Sequence, residues 1–156
     1  MLGHPLGGTI VTVSSVLGDV GAAHLSDYAA AKAGLVAMHT SLQQEVASMV
    51  SSMDTHPGAK NVRMVLVKPG QLSTQMFQSL TTPNSFFGPV VQGLDLAKAV
   101  VEAIDGGRNA VVALPLYAGY IEWLSVLPYG IQRIARWMSG VDRAMDTFSV
   151  DGQTPS

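Results

Sequence analysis

Three runs of apolar and β-branched residues, TIVTVS at 9–14, VRMVLV at 62–67 and NAVVAL at 109–114, are separated by stretches long enough to hold one helix each. Apolar residues that follow one another, rather than alternate, need cover on both faces, and buried parallel strands obtain it from crossover helices. The first connection places Ser26 or Asp27 at a helix start, followed by Leu35, Met38, Leu42, Val46 and Val50 at spacings of three and four. THPGAK at 55–60 stops that helix. In the second connection residues 71–93 carry Pro83, Gly88, Pro89 and Gly93 and read as loop, Asp95 caps LAKAVVEAI, and Gly106-Gly107 end it. The strand–helix–strand–helix–strand order predicts a right-handed parallel α/β sheet.

Composition narrows the function classes. With 47% hydrophobic and 13% charged residues, the chain has the makings of a core and not of a disordered segment. A net charge of -2 without a basic run leaves no footprint for nucleic acid. The absence of cysteine removes disulfides, thiol nucleophiles and cysteine zinc sites. His4, His24, His39 and His56 lack metal-ligand spacing, so no metal is expected. MLGHPLGG does not read as a secretory signal.

The chemistry-bearing pattern is SSVLGDVGAAHLSDYAAAK at 14–32. Tyr28 and Lys32 stand at i and i+4, on one helix face. An ammonium beside a phenol favours the phenolate, which makes the phenol a competent acid/base for alcohol–carbonyl interconversion. Ser15 falls just past the first strand, and carboxyl ends of strands are where open α/β sheets bind ligands. Alone, the Tyr28–Lys32 pair also reads as an ordinary helix-surface pair. His24 reads as an exposed loop residue, and Met38, Met49, Met53 and Met64 as packing. Met76 and Phe77 are candidates for a lid.

In order along the chain, Ser15, thirteen residues to Tyr28, Lys32, a long helix, a strand, and KPGQLSTQM at 68–76 resemble the short-chain dehydrogenase/reductase family. The resemblance covers about residues 7–114. It implies an α/β fold, the C-terminal part of a Rossmann-type doubly wound parallel sheet. It also implies an oxidoreductase acting with NAD(P), NADP slightly ahead of NAD, on an alcohol or its carbonyl. In that reading Ser15 binds the substrate oxygen, Tyr28 moves the proton, and Lys32 holds the nicotinamide ribose and favours the Tyr28 phenolate. Pro69, Gly70, Leu72 and Thr74 line the nicotinamide end, with the Leu72 backbone and Thr74 hydroxyl near the carboxamide. Ser14 is the poorer contact by its spacing to Tyr28.

The family's glycine-rich strand–turn–helix and its Asn-Ala-Gly segment have no counterpart here, since Gly3, Gly7 and Gly8 precede a strand. Residues 1–114 therefore read as a partial catalytic domain that starts before the fifth strand. Roughly 100–130 residues would be missing at about 30 per βαβ unit, leaving an open sheet edge. The expectation is weak cofactor binding, or none, and no measurable turnover by these residues alone. A non-catalytic remnant, acting as an oligomerisation or interaction module through the Ala-rich helix start with Leu35, Met38 and Leu42, is the competing expectation. The full-length form would be a homo-oligomer.

Residues 115–148 form an apolar, aromatic helical extension, with Tyr117, Tyr120, Trp123, Tyr129 and Trp137 among Leu and Ile, and 149–156 a polar tail. Pro115, Glu122, Pro128 and Gly130 argue against a spanning helix. A buried or lid segment remains open beside an interfacial helix with Arg133 and Arg136 near anionic lipid. The segment and GVDRAMDTF at 140–148 look similar to the family's retinol and lipophilic-alcohol branch. That likeness implies a lipophilic alcohol or carbonyl substrate. It also implies a place on the endoplasmic reticulum or a lipid droplet, facing the cytoplasm; otherwise the protein is cytoplasmic.

Overall fold

The computed structural model describes residues 2, 6–50, 57–72, 90–120, 123 and 127–139. Three strands, β1 (Gly8–Val13), β2 (Val62–Pro69) and β3 (Ala110–Leu114), form one parallel sheet in the order β1-β2-β3. The first connection contains α1 (Ser26–Val50) and the second α2 (Gly93–Asp105), and α3 (Tyr129–Ser139) follows β3. The α/β class and the alternating order are as the sequence implied. Strand boundaries differ by one or two residues: β1 starts at Gly8, and β2 continues through Pro69.

The register decides which side chains share a face. Thr12 pairs with Leu66, Val13 with Val67, and Val67 with Val112. Side chains alternate along each strand, so Thr12, Met64 and Leu66 point one way, and Val65, Val67 and Val112 the other. Leu96, Ala99, Val100 and Ala103, one stripe of α2, pack on Val65, Val67 and Val112. His39 of α1 meets Thr12 on the opposite face. The central strand is consequently covered on both sides, and Met64, Val65 and Val67 are almost wholly buried.

This arrangement corrects one expectation. Both connections step in the same direction across the sheet, yet their helices lie on opposite faces, so the two crossovers have opposite hand. The right-handed rule holds for only one of them. It fails at the other because α2 covers the face that α1 leaves open.

Two local expectations also change. The inward seam of α1 contains Leu35, Val36, His39, Leu42 and Val46, with His39 buried, while Met38 and Val50 face outward. A helix start at Asp95 is replaced by Gln92 as N-cap, three residues before the acidic residue. Asp95 sits in the first turn, where a carboxylate still complements the helix dipole. Gly106 closes α2 as expected, and Gly107 takes the left-handed conformation, φ 63. Among the described residues β1 pairs only with β2 and is a sheet edge.

Candidate active site

The carboxyl ends of β1 and β2 gather the candidate residues. The main chain of Ser14 continues the ladder, donating to the Val67 carbonyl at 2.8 Å. The chain then tightens into a 3-10 turn, Val16–Gly18, which Ser15 caps by accepting from the Leu17 N–H at 3.2 Å. The Ser15 hydroxyl donates to the Pro69 carbonyl at 3.4 Å, at the long limit of a hydrogen bond. A donor held that weakly is readily redirected to another acceptor.

The turn is pressed against α1. Ser14 Oγ donates to the Lys32 carbonyl at 2.8 Å. Gly18 lies so close to the same peptide that a Cβ there would stand 2.9 Å from the Lys32 carbonyl carbon and 3.0 Å from its oxygen. Only glycine fits this approach. Adjacent serines thus have separate tasks. Ser14 is buried and joins strand to helix, and Ser15 shapes the turn that faces Pro69.

Tyr28 and Lys32 lie in the first two turns of α1, side by side as the i,i+4 spacing requires. The Lys32 ammonium donates to the Val13 carbonyl at 3.2 Å and stands 5.5 Å from the centroid of the Tyr28 ring. A lysine ammonium has three N–H donors, so one anchors Lys32 to β1 and others remain for a ligand. Pro69 ends β2, the Gly70 N–H donates to the Leu114 carbonyl at 2.7 Å, and Leu72 forms a parallel bridge with Val91. The structure therefore joins Ser15 to Pro69 and Lys32 to both Tyr28 and the end of β1. Thr74, Met76 and Phe77 lie outside the described residues. His24, with φ 63, is exposed in the loop before α1.

The chemistry present is compatible with the ribose end of a nicotinamide dinucleotide: Lys32 is an anchored cation with N–H donors left for a diol. Among the described residues nothing comparable serves a pyrophosphate. Gly7 takes φ +68 and packs against the Asn61 carbonyl where a side chain would stand, so Gly7-Gly8 open β1 instead of cradling phosphate.

Three buried polar residues were not singled out from sequence. Lys68 Nζ lies 3.1 Å from Asp19 Oδ2, with side chains only 3% and 7% exposed. The contact is an ion pair off the hydrogen-bond direction, since Asp19 Oδ2 accepts no hydrogen bond. A lysine ending the apolar run VRMVLV was the available signal. His39 Nδ1 lies 2.9 Å from Thr12 Oγ1, and burial lowers its pKa from 6.5. Its place one position after Met38 on the helix hid it. Among the described residues no group of His, Asp or Glu is arranged to hold a metal.

A parallel α/β sheet thus carries a serine at one strand end and a Tyr-x-x-x-Lys helix beside it. The model of the short chain dehydrogenase family matches residues 1–85, and the chain belongs to that family. Over 133 residues it is 36% identical to the uncharacterized oxidoreductase TDA5 of Saccharomyces cerevisiae, covering 85% of this chain and 38% of that protein. The uncharacterized oxidoreductase YDL114W of the same yeast is 25% identical over 140 residues, 90% of this chain and 44% of its own length. The 3-oxoacyl-[acyl-carrier-protein] reductase FabG of Salmonella typhimurium is 38% identical over 74 residues, 47% of this chain and 26% of its own. The chain thus spans less than half the length of these relatives.

Proposed function

We propose that this chain supplies the proton-handling, nicotinamide-side part of an NAD(P)-dependent oxidoreductase that interconverts an alcohol and its carbonyl. The observation that carries the reading is Lys32, anchored to the Val13 carbonyl with its ammonium beside the Tyr28 ring. The nicotinamide, when bound, supplies or accepts the hydride. Tyr28 gives its hydroxyl proton to the developing alkoxide oxygen, or takes it in the reverse direction. The Lys32 charge favours the anionic oxygen that forms as the proton leaves. Ser15 turns its hydroxyl from the Pro69 carbonyl to the substrate oxygen and holds it for that transfer. Pro69, Gly70 and Leu72 form the wall of the nicotinamide end, with Thr74 assigned there by its position in KPGQLSTQM.

Saturation-transfer NMR on the purified chain with millimolar NADPH tests this. Transfer is expected to the nicotinamide and its ribose, much more than to the adenine, and to disappear in Lys32→Met. Equal transfer to both ends, unchanged by that substitution, overturns the reading. NADPH in place of NADH follows the slight preference for NADP, and the same titration with NADH ranks the two.

The finer reading is a lipophilic substrate and a protein that works at a membrane or lipid-droplet surface as a homo-oligomer. Its support is α3, where Ile131, Ile134 and Trp137 are 49%, 59% and 73% exposed and Arg133 stands one turn before Trp137. Tyr120 and Trp123 are exposed just before it. An amphipathic helix with aromatic and arginine residues suits an interface plane, and no helix among the described residues is long and apolar enough to cross a membrane. Anionic vesicles are expected to shift tryptophan emission to the blue in the intact chain and much less in Ile134→Glu. Emission unmoved by vesicles rejects the location.

A further inference from the structure

We propose that Lys68 and Asp19 are a positioning pair that makes the Ser15 turn and the Pro69-Gly70 wall move as one body. The proposal rests on the oxidoreductase reading for its purpose, though not for its geometry. Three consecutive residues at the end of β2 hold the segment that follows β1. The Val67 carbonyl accepts from the Ser14 N–H at 2.8 Å, and the Pro69 carbonyl accepts from the Ser15 hydroxyl at 3.4 Å. Between them the Lys68 ammonium lies 3.1 Å from Asp19 Oδ2. Asp19 is itself the C-cap of the turn that Ser15 opens, donating its N–H to the Val16 carbonyl at 3.1 Å. Both ends of the turn are therefore tied to the same strand end, Ser15 at the start and Asp19 at the finish.

The choice of charges is informative. Burying two charges is expensive, and apolar residues of similar volume usually stabilise a site at least as well. What an ion pair adds is a single preferred geometry. The Ser15–Pro69 hydrogen bond is too long to hold the turn strongly by itself, and the Ser14–Lys32 bond fixes the turn to α1 and not to β2. Lys68–Asp19 ties the far end of the turn to β2 and, with the Ser14–Val67 main-chain bond at the near end, sets the distance between Ser15 and the nicotinamide wall while leaving the Ser15 hydroxyl free to change acceptor. Neither residue touches the reacting atoms in this role.

The test is amide NMR of the full 156-residue chain, alone and with millimolar NADPH. It compares the wild type, the apolar pair Lys68→Met/Asp19→Leu, and the charge-conserving Lys68→Arg. In the wild type, NADPH is expected to move the Gly70 and Ser15 amides together. In the apolar pair the unfolding midpoint is retained and Gly70 still responds, but the Ser15 and Leu17 amides shift in the free protein. Their response to NADPH is largely lost. Lys68→Arg restores a substantial part of the response. Free-state Ser15 and Leu17 amides unchanged in the apolar pair overturn the proposal. If NADPH moves no amide in the wild type, the oxidoreductase reading fails, and the free-state shifts still decide whether the pair positions the turn.

Discussion

Ser14 Oγ donates to the main-chain carbonyl of Lys32 at 2.8 Å, across 18 residues of sequence. This bond attaches the end of β1 to the helix that carries Tyr28 and Lys32. Beside it, Ser15 points the other way, to the Pro69 carbonyl. Ser14→Ala is expected to lower unfolding free energy by about 1–2 kcal/mol, the range for one part-buried hydrogen bond. Ser15→Ala, which loses a long bond and a turn cap, costs about 1 kcal/mol or less. Urea unfolding of the two variants checks the order, which reverses if Ser15 is the structural serine.

Tyr28 and Lys32 separate in binding. In the proposed site the Lys32 ammonium is the anchored donor to the nicotinamide ribose, and hydrogen bonds to charged groups contribute about 1.5–3 kcal/mol. Lys32→Met is thus expected to weaken NADPH binding by roughly ten- to a hundredfold. Tyr28→Phe keeps the ring beside Lys32 and removes only a hydroxyl from a residue at the surface. It should leave binding within about threefold and stability within about 0.5 kcal/mol, as for surface substitutions generally. Ligand titration and thermal melting measure both.

His39 makes stability depend on pH. Burial beside Thr12 lowers its pKa from 6.5, so the unfolded chain binds the proton more readily than the folded one. The His39 contribution is present above pH 6.5 and is lost as pH falls below that value toward the folded pKa. Unfolding free energy measured from pH 8 down to 5 should decline through this window, and His39→Gln should flatten the decline. Equal pH slopes in the two proteins would remove His39 as the cause.

Gly18 has no room for a side chain. A methyl group at 2.9 Å from the Lys32 carbonyl carbon would push the serine turn away from α1. Gly18→Ala is expected to cost about 1–3 kcal/mol, the usual penalty for overpacking. The Ser14–Lys32 bond should weaken with it, seen as faster amide exchange around Ser14. Gly21→Ala, where a Cβ meets nothing within 4 Å, is the control.

Much of this arrangement can be read along the chain because its signals are local. Continuous apolar runs disclosed all three strands, four-residue spacing set Tyr28 beside Lys32, and Ser15 and Pro69 fell at strand ends. The pairing of Lys68 with Asp19 was not legible, since they stand 49 positions apart and only Lys68, at the end of an apolar run, carried a local signal. His39 was missed because the stripe through Met38 and the stripe through His39 differ by one residue, and apolarity alone chose the wrong one.

The sequence by itself determined the order of elements, the family, and the residue types available for proton transfer, all of which depend on local patterns and their order along the chain. Only the tertiary structure decided that α1 and α2 cover opposite faces, that Ser14 binds the helix while Ser15 faces Pro69, and that a buried Lys68–Asp19 pair ties the turn to β2. The physical reason is that side-chain periodicity states which residues share a face. Which neighbour that face meets depends on crossovers between segments distant in sequence.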